Sequence, residues 1–122
     1  MGKEYYSYKV DNNLYNNNDV NIVSIYNIGI SLEICDAVNF DDKNIDKDEI
    51  LGMFPTDPYT RDINYPLKRM SSIMDALNND ISLPPIIVKK TDNISYYNIL
   101  NGRHRMAGSI IKRYNNIPVI IL

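Results

Sequence analysis

The chain has 122 residues, of which 44% are hydrophobic and 23% are charged, and its formal net charge is −2. This length suits one hydrophobic core and excludes two ordinary domains, so we predict a single domain spanning residues 1–122. The weak negative charge argues against nucleic-acid binding through a broad basic surface, and no apolar run approaches the roughly 18 residues that a membrane span requires.

The start of the chain and its cysteine content favour a cytoplasmic location, or the interior of a host cell. Residues 1–6 are charged and aromatic, whereas a secretory signal would have an apolar stretch behind its first residues. The single cysteine, Cys35, excludes an internal disulfide and suits a reducing compartment. Asn, Ile, Lys and Tyr are frequent, which is typical of an AT-rich genome such as that of a phage, a virus or a low-GC bacterium.

Residues 1–53 are predicted to contribute strands and an acidic segment. The Asn-rich stretch 11–18 has little to bury and is predicted to be a loop. From Val20 the apolar residues are frequent and β-branched. This composition favours a strand or a hairpin, and the apolar pattern extends it as far as Leu32 and Ile34.

The acidic stretch 41–49 is interpreted as a solvated surface. It lacks the glycine that a calcium-binding loop needs at its turn, so we do not predict a metal site there. Asp46 is followed three residues later by Glu49, which resembles a capping box. A short helix that ends near Gly52 is therefore predicted.

Residues 54–122 are predicted to form the core of the domain, beginning with a loop and a helix. Segment 54–61 contains two prolines and is predicted to be an extended loop. A helix is predicted from Tyr65 to Asn78. Its apolar face is formed by residues spaced three and four apart, namely Leu67, Met70, Ile73, Met74 and Leu77.

The remainder of the chain is predicted to alternate strands with one further helix. Residues 83–88 read as a strand with a rigid proline lead-in, and 95–100 as its hairpin partner. A second helix is predicted over 103–114 and a last buried strand over 117–122. The predicted fold class is α/β (α+β), a small mixed sheet packed by two main helices.

One short segment combines the features of an anion-binding site. Gly102 stands where the strand ends and the helix begins, so free N–H groups and the positive end of the helix dipole lie there. Glycine also lets a phosphate oxygen approach the backbone. Arg103, His104 and Arg105 add three cationic or titratable donors within one turn. We therefore predict that this turn binds phosphate.

This turn and the residues around it resemble the ParB/sulfiredoxin-like fold family, over about half of the chain. In sulfiredoxins the phosphates of ATP lie against a Gly-Cys-His-Arg turn. The resemblance places Gly102, His104 and Arg105 on its glycine, histidine and arginine. Three further short segments also look like the family: Pro84-Pro85-Ile86, Tyr96-Tyr97 and Ile117-Pro118.

The resemblance extends to the preceding helix but not to the sulfiredoxin cysteine. Sulfiredoxins place a lysine and, three residues later, a serine at the phosphates, and Arg69 and Ser72 fall at those positions. Arg61 lies close to an upstream arginine of the family. The reactive cysteine is replaced by Arg103, and Cys35 is distant in sequence, so sulfiredoxin-type thiol chemistry is not expected.

The resemblance implies a domain that binds a nucleoside di- or triphosphate, ATP or CTP, together with Mg²⁺. Gly102, Arg103, His104 and Arg105 would contact the nucleotide, with further contacts from the helix and loop residues Arg69, Ser72 and Arg61. His104 and Arg105 are the candidate catalytic residues if the nucleotide is hydrolysed or its phosphoryl group transferred. No residue is assigned as a metal ligand.

A second interpretation is a nucleotide-gated or purely protein-binding module without catalysis, such as a phage or viral accessory protein. ParB proteins carry a helix-turn-helix after this fold, and the chain stops at Leu122. Direct, sequence-specific DNA binding is therefore not expected, whereas a protein partner fits this interpretation. Nuclease activity is less favoured, because it needs a cluster of carboxylates around a metal ion.

Overall fold

The computed structural model describes residues 7–56, 67–92 and 96–122 of the protein. Within these residues the chain forms the following elements in order: strand β1 (Asn21–Ser24), a 3-10 turn (Ile25–Asn27), helices α1 (Leu32–Asp41), α2 (Lys47–Met53) and α3 (Leu67–Asn78), strands β2 (Ile86–Lys90) and β3 (Tyr97–Asn101), helix α4 (Arg103–Ile111) and strand β4 (Asn116–Ile121). The α/β fold class predicted from the sequence is confirmed.

The strands form one mixed sheet in the order β1-β4-β2-β3. Strand β4 is antiparallel to β1 and parallel to β2, while β2 and β3 form the predicted antiparallel hairpin. The β2–β3 register is irregular between Ile87 and Val88, and there Ile87 lies opposite Asn101. This bulge lies at the end of β3 from which the chain enters α4.

The segment 28–30 extends the sheet beyond β3. Ile28 forms a parallel bridge with Tyr97, and the backbone N–H of Gly29 donates to the carbonyl of Tyr97 at 2.8 Å. An added Cβ at Gly29 would overlap the ring of Tyr96, so this close approach requires glycine. Segment 28–30 runs parallel to β3. Helix α1 follows this segment and helix α4 follows β3, so both helices begin at the same edge of the sheet.

Helix α1 corrects the prediction that a strand continues to Leu32 and Ile34. Both residues lie in α1, and Ser31 is its N-cap residue. The buried apolar positions of the helix recur at spacings of one, three and four residues, namely Ile34, Cys35, Ala37 and Val38, and Glu33 is buried beside them. This is the helical period, and α1 uses it to pack against α4. The β-branched run that precedes Ser31 hid this boundary in the sequence.

The other predicted helices and strands are present among the described residues, with shifts at their ends. Most of the predicted loop 54–61 and the predicted helix start at Tyr65 lie outside the described residues. The acidic-segment helix is α2, and the carboxylate of its N-cap residue Asp46 accepts a hydrogen bond from the N–H of Asp48 at 3.4 Å. Helix α3 ends at Asn78 as predicted. Helix α4 ends at Ile111, three residues before the predicted Tyr114. Residues 11–18 form turns without regular structure, as predicted.

One core joins the two halves of the chain. It contains fully buried side chains from helices, strands and connecting segments: Ile25, Ile28, Ile30, Ile34, Val38, Ile50, Met70, Ile86, Val88, Met106, Ile117 and Val119. None of the helices among the described residues is long and apolar enough to cross a membrane.

Candidate functional site

Gly102 makes the turn between β3 and α4 in a conformation that disfavours other residues. It is the N-cap residue of α4 and has φ 112° and ψ 26° in the left-handed region. An added Cβ would lie 2.5 Å from Cγ2 of Ile86 and 3.0 Å from Nη2 of Arg105. A glycine cap also has no side chain to occupy the first N–H groups of the helix, which lack intrahelical partners. Gly102 therefore caps none of these N–H groups with a side chain.

Two arginines of the first turn of α4 bond to acceptors in β3 and in the segment before β2. Arg103 Nη2 donates to the carbonyl of Ile99 at 3.5 Å, so its side chain turns back along β3. Arg105 Nη1 donates to the carbonyl of Pro84 at 3.0 Å, and Nη2 donates to Oδ1 of Asn101 at 2.8 Å. A guanidinium has five N–H donors, so each arginine retains donors for a ligand.

His104 lies between these arginines and is partly buried. Burial, followed by the positive charges of Arg69 and Arg105, holds the pKa of its imidazole below the ordinary 6.5. The ring is therefore mostly neutral at pH 7. A bound anion would offset the charges of the two arginines and would raise this pKa again.

Helix α3 brings Arg69 to the site because Gly108 lets the two helices pack closely. A Cβ on Gly108 would lie 2.7 Å from Cδ1 of Leu77 and 3.1 Å from Cγ2 of Ile73. Arg69 is exposed in the first turns of α3, and its charge acts on His104.

The structure places only one of the other two sequence-predicted residues, Ser72. Ser72 is exposed one turn further along α3. Arg61 lies outside the described residues. Both assignments stay predictions.

The site concentrates positive charge in a chain whose net charge is negative. Among the described residues the ion pairs join Lys47 to Asp36 and Arg113 to Asp42, and none involves Arg69, Arg103 or Arg105. Arg103 and Arg105 belong to the first turn of α4 and Arg69 to the neighbouring helix α3, and no carboxylate of the described residues forms an ion pair with them. Groups of at least three His, Cys, Asp or Glu side chains suited to a metal ion are absent from the described part of the chain. The arrangement suits an anion with several oxygens.

Sequence reasoning gave no role to two residues that contact the site. Asn101 directly precedes the predicted turn, but its bond to Arg105 had no sequence signal beyond proximity. Tyr8 is buried, and its hydroxyl donates to the carbonyl of Pro84 at 2.7 Å. A contact across 76 residues of sequence leaves no periodic or motif signal.

Comparisons with known proteins bear on the family and the fold of the chain. Residues 55–122 match the model of the ParB N-terminal domain family. The fold is similar to that of the C-terminally truncated chromosome-partitioning protein ParB from Caulobacter crescentus, crystallised with CTP-γ-S, with a TM-score of 0.53 and 12% identity. That match covers 84% of this chain and 43% of the ParB chain, so this chain spans less than half of that protein.

A comparison with curated protein sequences found no relative. The family match starts at Pro55, shortly after α2, and includes α3, the glycine turn, α4 and the strands around them. Because it covers more than half of the chain, the protein belongs to the ParB N-terminal domain family.

Proposed function

We propose that this protein binds a nucleoside di- or triphosphate, with its phosphates at the Gly102–Arg105 turn. The observation that carries the proposal is the left-handed glycine cap of α4 beside three arginines that have no ion pair within the described residues. CTP is the first candidate, because the similar ParB structure holds CTP-γ-S. ATP is the second, from the resemblance of the turn to that of sulfiredoxins.

Each element of the site has a separate part in holding the phosphates. The N–H groups at the start of α4 donate to phosphate oxygens, and the helix dipole favours their negative charge. Arg103, Arg105 and Arg69 neutralise the remaining charge, with forked donors that match phosphate geometry. Mg²⁺ would enter with the nucleotide, held by phosphate oxygens and water, since it keeps several water ligands in such sites.

The same arrangement supports hydrolysis or phosphoryl transfer. In hydrolysis, the oxygen of water bonds to the terminal phosphorus while the bond to the bridging oxygen breaks, which releases inorganic phosphate and the nucleoside diphosphate. The arginines stabilise charge that develops on the equatorial oxygens. His104, being mostly neutral, donates a hydrogen bond to a phosphoryl oxygen, while one proton of the attacking water stays on the released phosphate and the other passes to solvent.

Calorimetric titration tests the binding proposal. CTP, ATP and GTP, each with Mg²⁺, and inorganic triphosphate are titrated into the wild type, Arg103→Gln, and the His104→Ala, Arg105→Ala double variant. Loss of one charged hydrogen bond is expected to weaken binding by roughly 10- to 100-fold. Arg113→Gln is the matched control, because it removes a guanidinium just beyond the opposite end of α4.

The outcomes separate the alternatives. If the turn variants lose affinity equally for triphosphate and for nucleotide, the phosphates bind at the turn. If the wild type releases inorganic phosphate and His104→Gln does not, the site is catalytic. Binding without phosphate release favours the nucleotide-gated module. If the wild type binds none of these anions at millimolar concentration, the nucleotide proposal is wrong and the protein-binding module is favoured.

A further inference from the structure

The guanidinium of Arg105 is held by two acceptors that belong to different parts of the chain. Its two terminal nitrogens bond separately to Asn101 Oδ1 and to the carbonyl of Pro84. Two bonds to the two ends of a planar fork fix both the position of the group and the plane in which it lies. The remaining N–H donors then point in fixed directions.

Asn101 supplies one of these acceptors from the end of β3. It is the last residue of the strand, directly before the glycine cap, and it lies opposite Ile87 at the bulge. Its bond to Arg105 spans four residues, from the strand across the turn into the helix. The amide therefore ties the conformation of the turn to the orientation of the arginine.

The N-terminal segment holds the second acceptor. The Tyr8 hydroxyl and Arg105 donate to the same carbonyl oxygen, that of Pro84, at 2.7 and 3.0 Å. A carbonyl oxygen has two lone pairs, so both bonds form together. The N–H of Leu83 also donates to the carbonyl of Lys9 at 2.9 Å. Burial raises the pKa of the Tyr8 hydroxyl far above its ordinary value, so it remains a donor throughout the physiological pH range.

We propose that Asn101 and Tyr8 are positioning residues that orient Arg105 for a phosphate ligand. The effect on ligand binding rests on the proposed function. The orientation of the Arg105 guanidinium is a property of the free protein and does not depend on it. Tyr8 precedes the residues that match the family, so the N-terminal half acts on the turn through Pro84. An arginine ordered before binding loses less conformational freedom when the ligand arrives, which strengthens binding.

Nitrogen-15 NMR of the arginine side chains tests the orientation without any nucleotide. In the wild type, rotation about the Cζ–Nε bond of Arg105 is expected to be slow, with resolved signals for its two terminal nitrogens. Asn101→Ala should accelerate this rotation and merge the signals. Asn17→Ala, at an exposed loop position, is the matched control and should leave them unchanged. Equal rotation rates in the wild type and Asn101→Ala would overturn the proposal.

A double-mutant cycle with Mg²⁺-CTP and inorganic triphosphate tests the consequence for binding. Asn101→Ala is expected to weaken binding about threefold to tenfold in the wild type and to have no effect in an Arg105→Gln background. Tyr8→Phe, which keeps the ring and removes the hydroxyl, should act in the same direction with a smaller loss.

The two readouts distinguish failure of this proposal from failure of the proposed function. Equal losses in both backgrounds, or tighter binding by Asn101→Ala, would show that Asn101 does not position Arg105 for the ligand. A wild type that binds no nucleotide overturns the proposed function alone, and the NMR rotation rates still decide whether Asn101 orients the arginine.

Discussion

At the scale of single residues, the protonation of His104 links the site to the stability of the fold. Its folded-state pKa lies below 6.5, first because of burial and then because of Arg69 and Arg105. In the unfolded chain the imidazole has its ordinary pKa and binds a proton more readily. The stabilising contribution is therefore complete above pH 6.5 and is lost as the pH falls from there toward the folded-state pKa.

We expect the free energy of unfolding of the wild type to fall more between pH 7.5 and pH 5.5 than that of His104→Gln. The reason is that the chain has one histidine, so the variant removes the imidazole titration from this range. Urea unfolding of both proteins at several pH values measures the difference. Parallel pH dependence in the two proteins would show that the histidine has the same pKa in the folded and unfolded states.

The turn was predictable from sequence at the level of its own residues, whereas the contacts of Arg105 were not. Glycine followed by cationic residues at a strand-to-helix boundary has a local physical meaning, and the structure confirms that boundary at Gly102. The acceptor for Arg105 at Pro84, and the Tyr8 hydroxyl beside it, come from distant parts of the chain. Such contacts depend on tertiary packing, which no local pattern contains.

At the scale of elements, the contact between α3 and α4 depends on Gly108. The Cβ of an alanine there would meet the buried Leu77 side chain at 2.7 Å and Ile73 at 3.1 Å. Relief of these contacts requires either that the Leu77 and Ile73 side chains repack or that α3 moves away from α4. Since α3 carries Arg69 and α4 carries His104, the same movement separates the two residues of the site.

We expect Gly108→Ala to lower the free energy of unfolding by about 1–3 kcal/mol, the usual cost of overpacking a core. Gly52→Ala is the matched control, because a Cβ at that helical position meets nothing within 4 Å. It should raise stability by up to about 0.5–1 kcal/mol, since alanine loses less backbone entropy than glycine. Urea unfolding measures both variants. A neutral Gly108→Ala would show that Leu77 and Ile73 adjust without moving the helices.

The ends of helices were less predictable than their existence, and α4 shows why. Its end is a Schellman motif in which the N–H groups of Arg113 and Tyr114 donate to the carbonyls of Ile110 and Ser109. Arg113 has φ 61° at the left-handed position where glycine is usual. Without that glycine the sequence showed no stop signal, and the predicted helix continued through Tyr114. Asp80, with φ 56°, has the same role after α3.

In the N-terminal half the sequence pattern failed to predict a whole helix, α1. The predicted strand overlapped β1, but its extension to Leu32 and Ile34 was wrong because both residues lie in α1. Isoleucines lie on both sides of Ser31, at positions 28, 30 and 34, and β-branched apolar residues favour strands by composition. The helical period appears only from Ile34 onward, where burial against α4 decides the structure.

At the scale of the whole molecule, α1 joins the N-terminal half to the residues that match the family. Helices α1 and α4 start at the same edge of the sheet and pack side by side, and near their other ends Arg113 lies 3.6 Å from Asp42. Cys35 is completely buried in α1. Burial raises the pKa of its thiol to about 11, and the charge of Asp36 adds to this effect. Packing and protonation therefore both protect the thiol from reaction with thiol reagents.

We expect Cys35 to react with a thiol reagent such as DTNB at pH 8 only when the fold opens. If the two halves form one cooperative unit, the free energy of opening derived from labelling rates equals the free energy of global unfolding from circular dichroism in urea. Cys35→Ala is the control for reaction elsewhere, since the chain has no other cysteine. A labelling free energy well below the global value would mean that α1 detaches while the residues matching the family stay folded. In that case the N-terminal half would unfold separately from residues 55–122, which match the family.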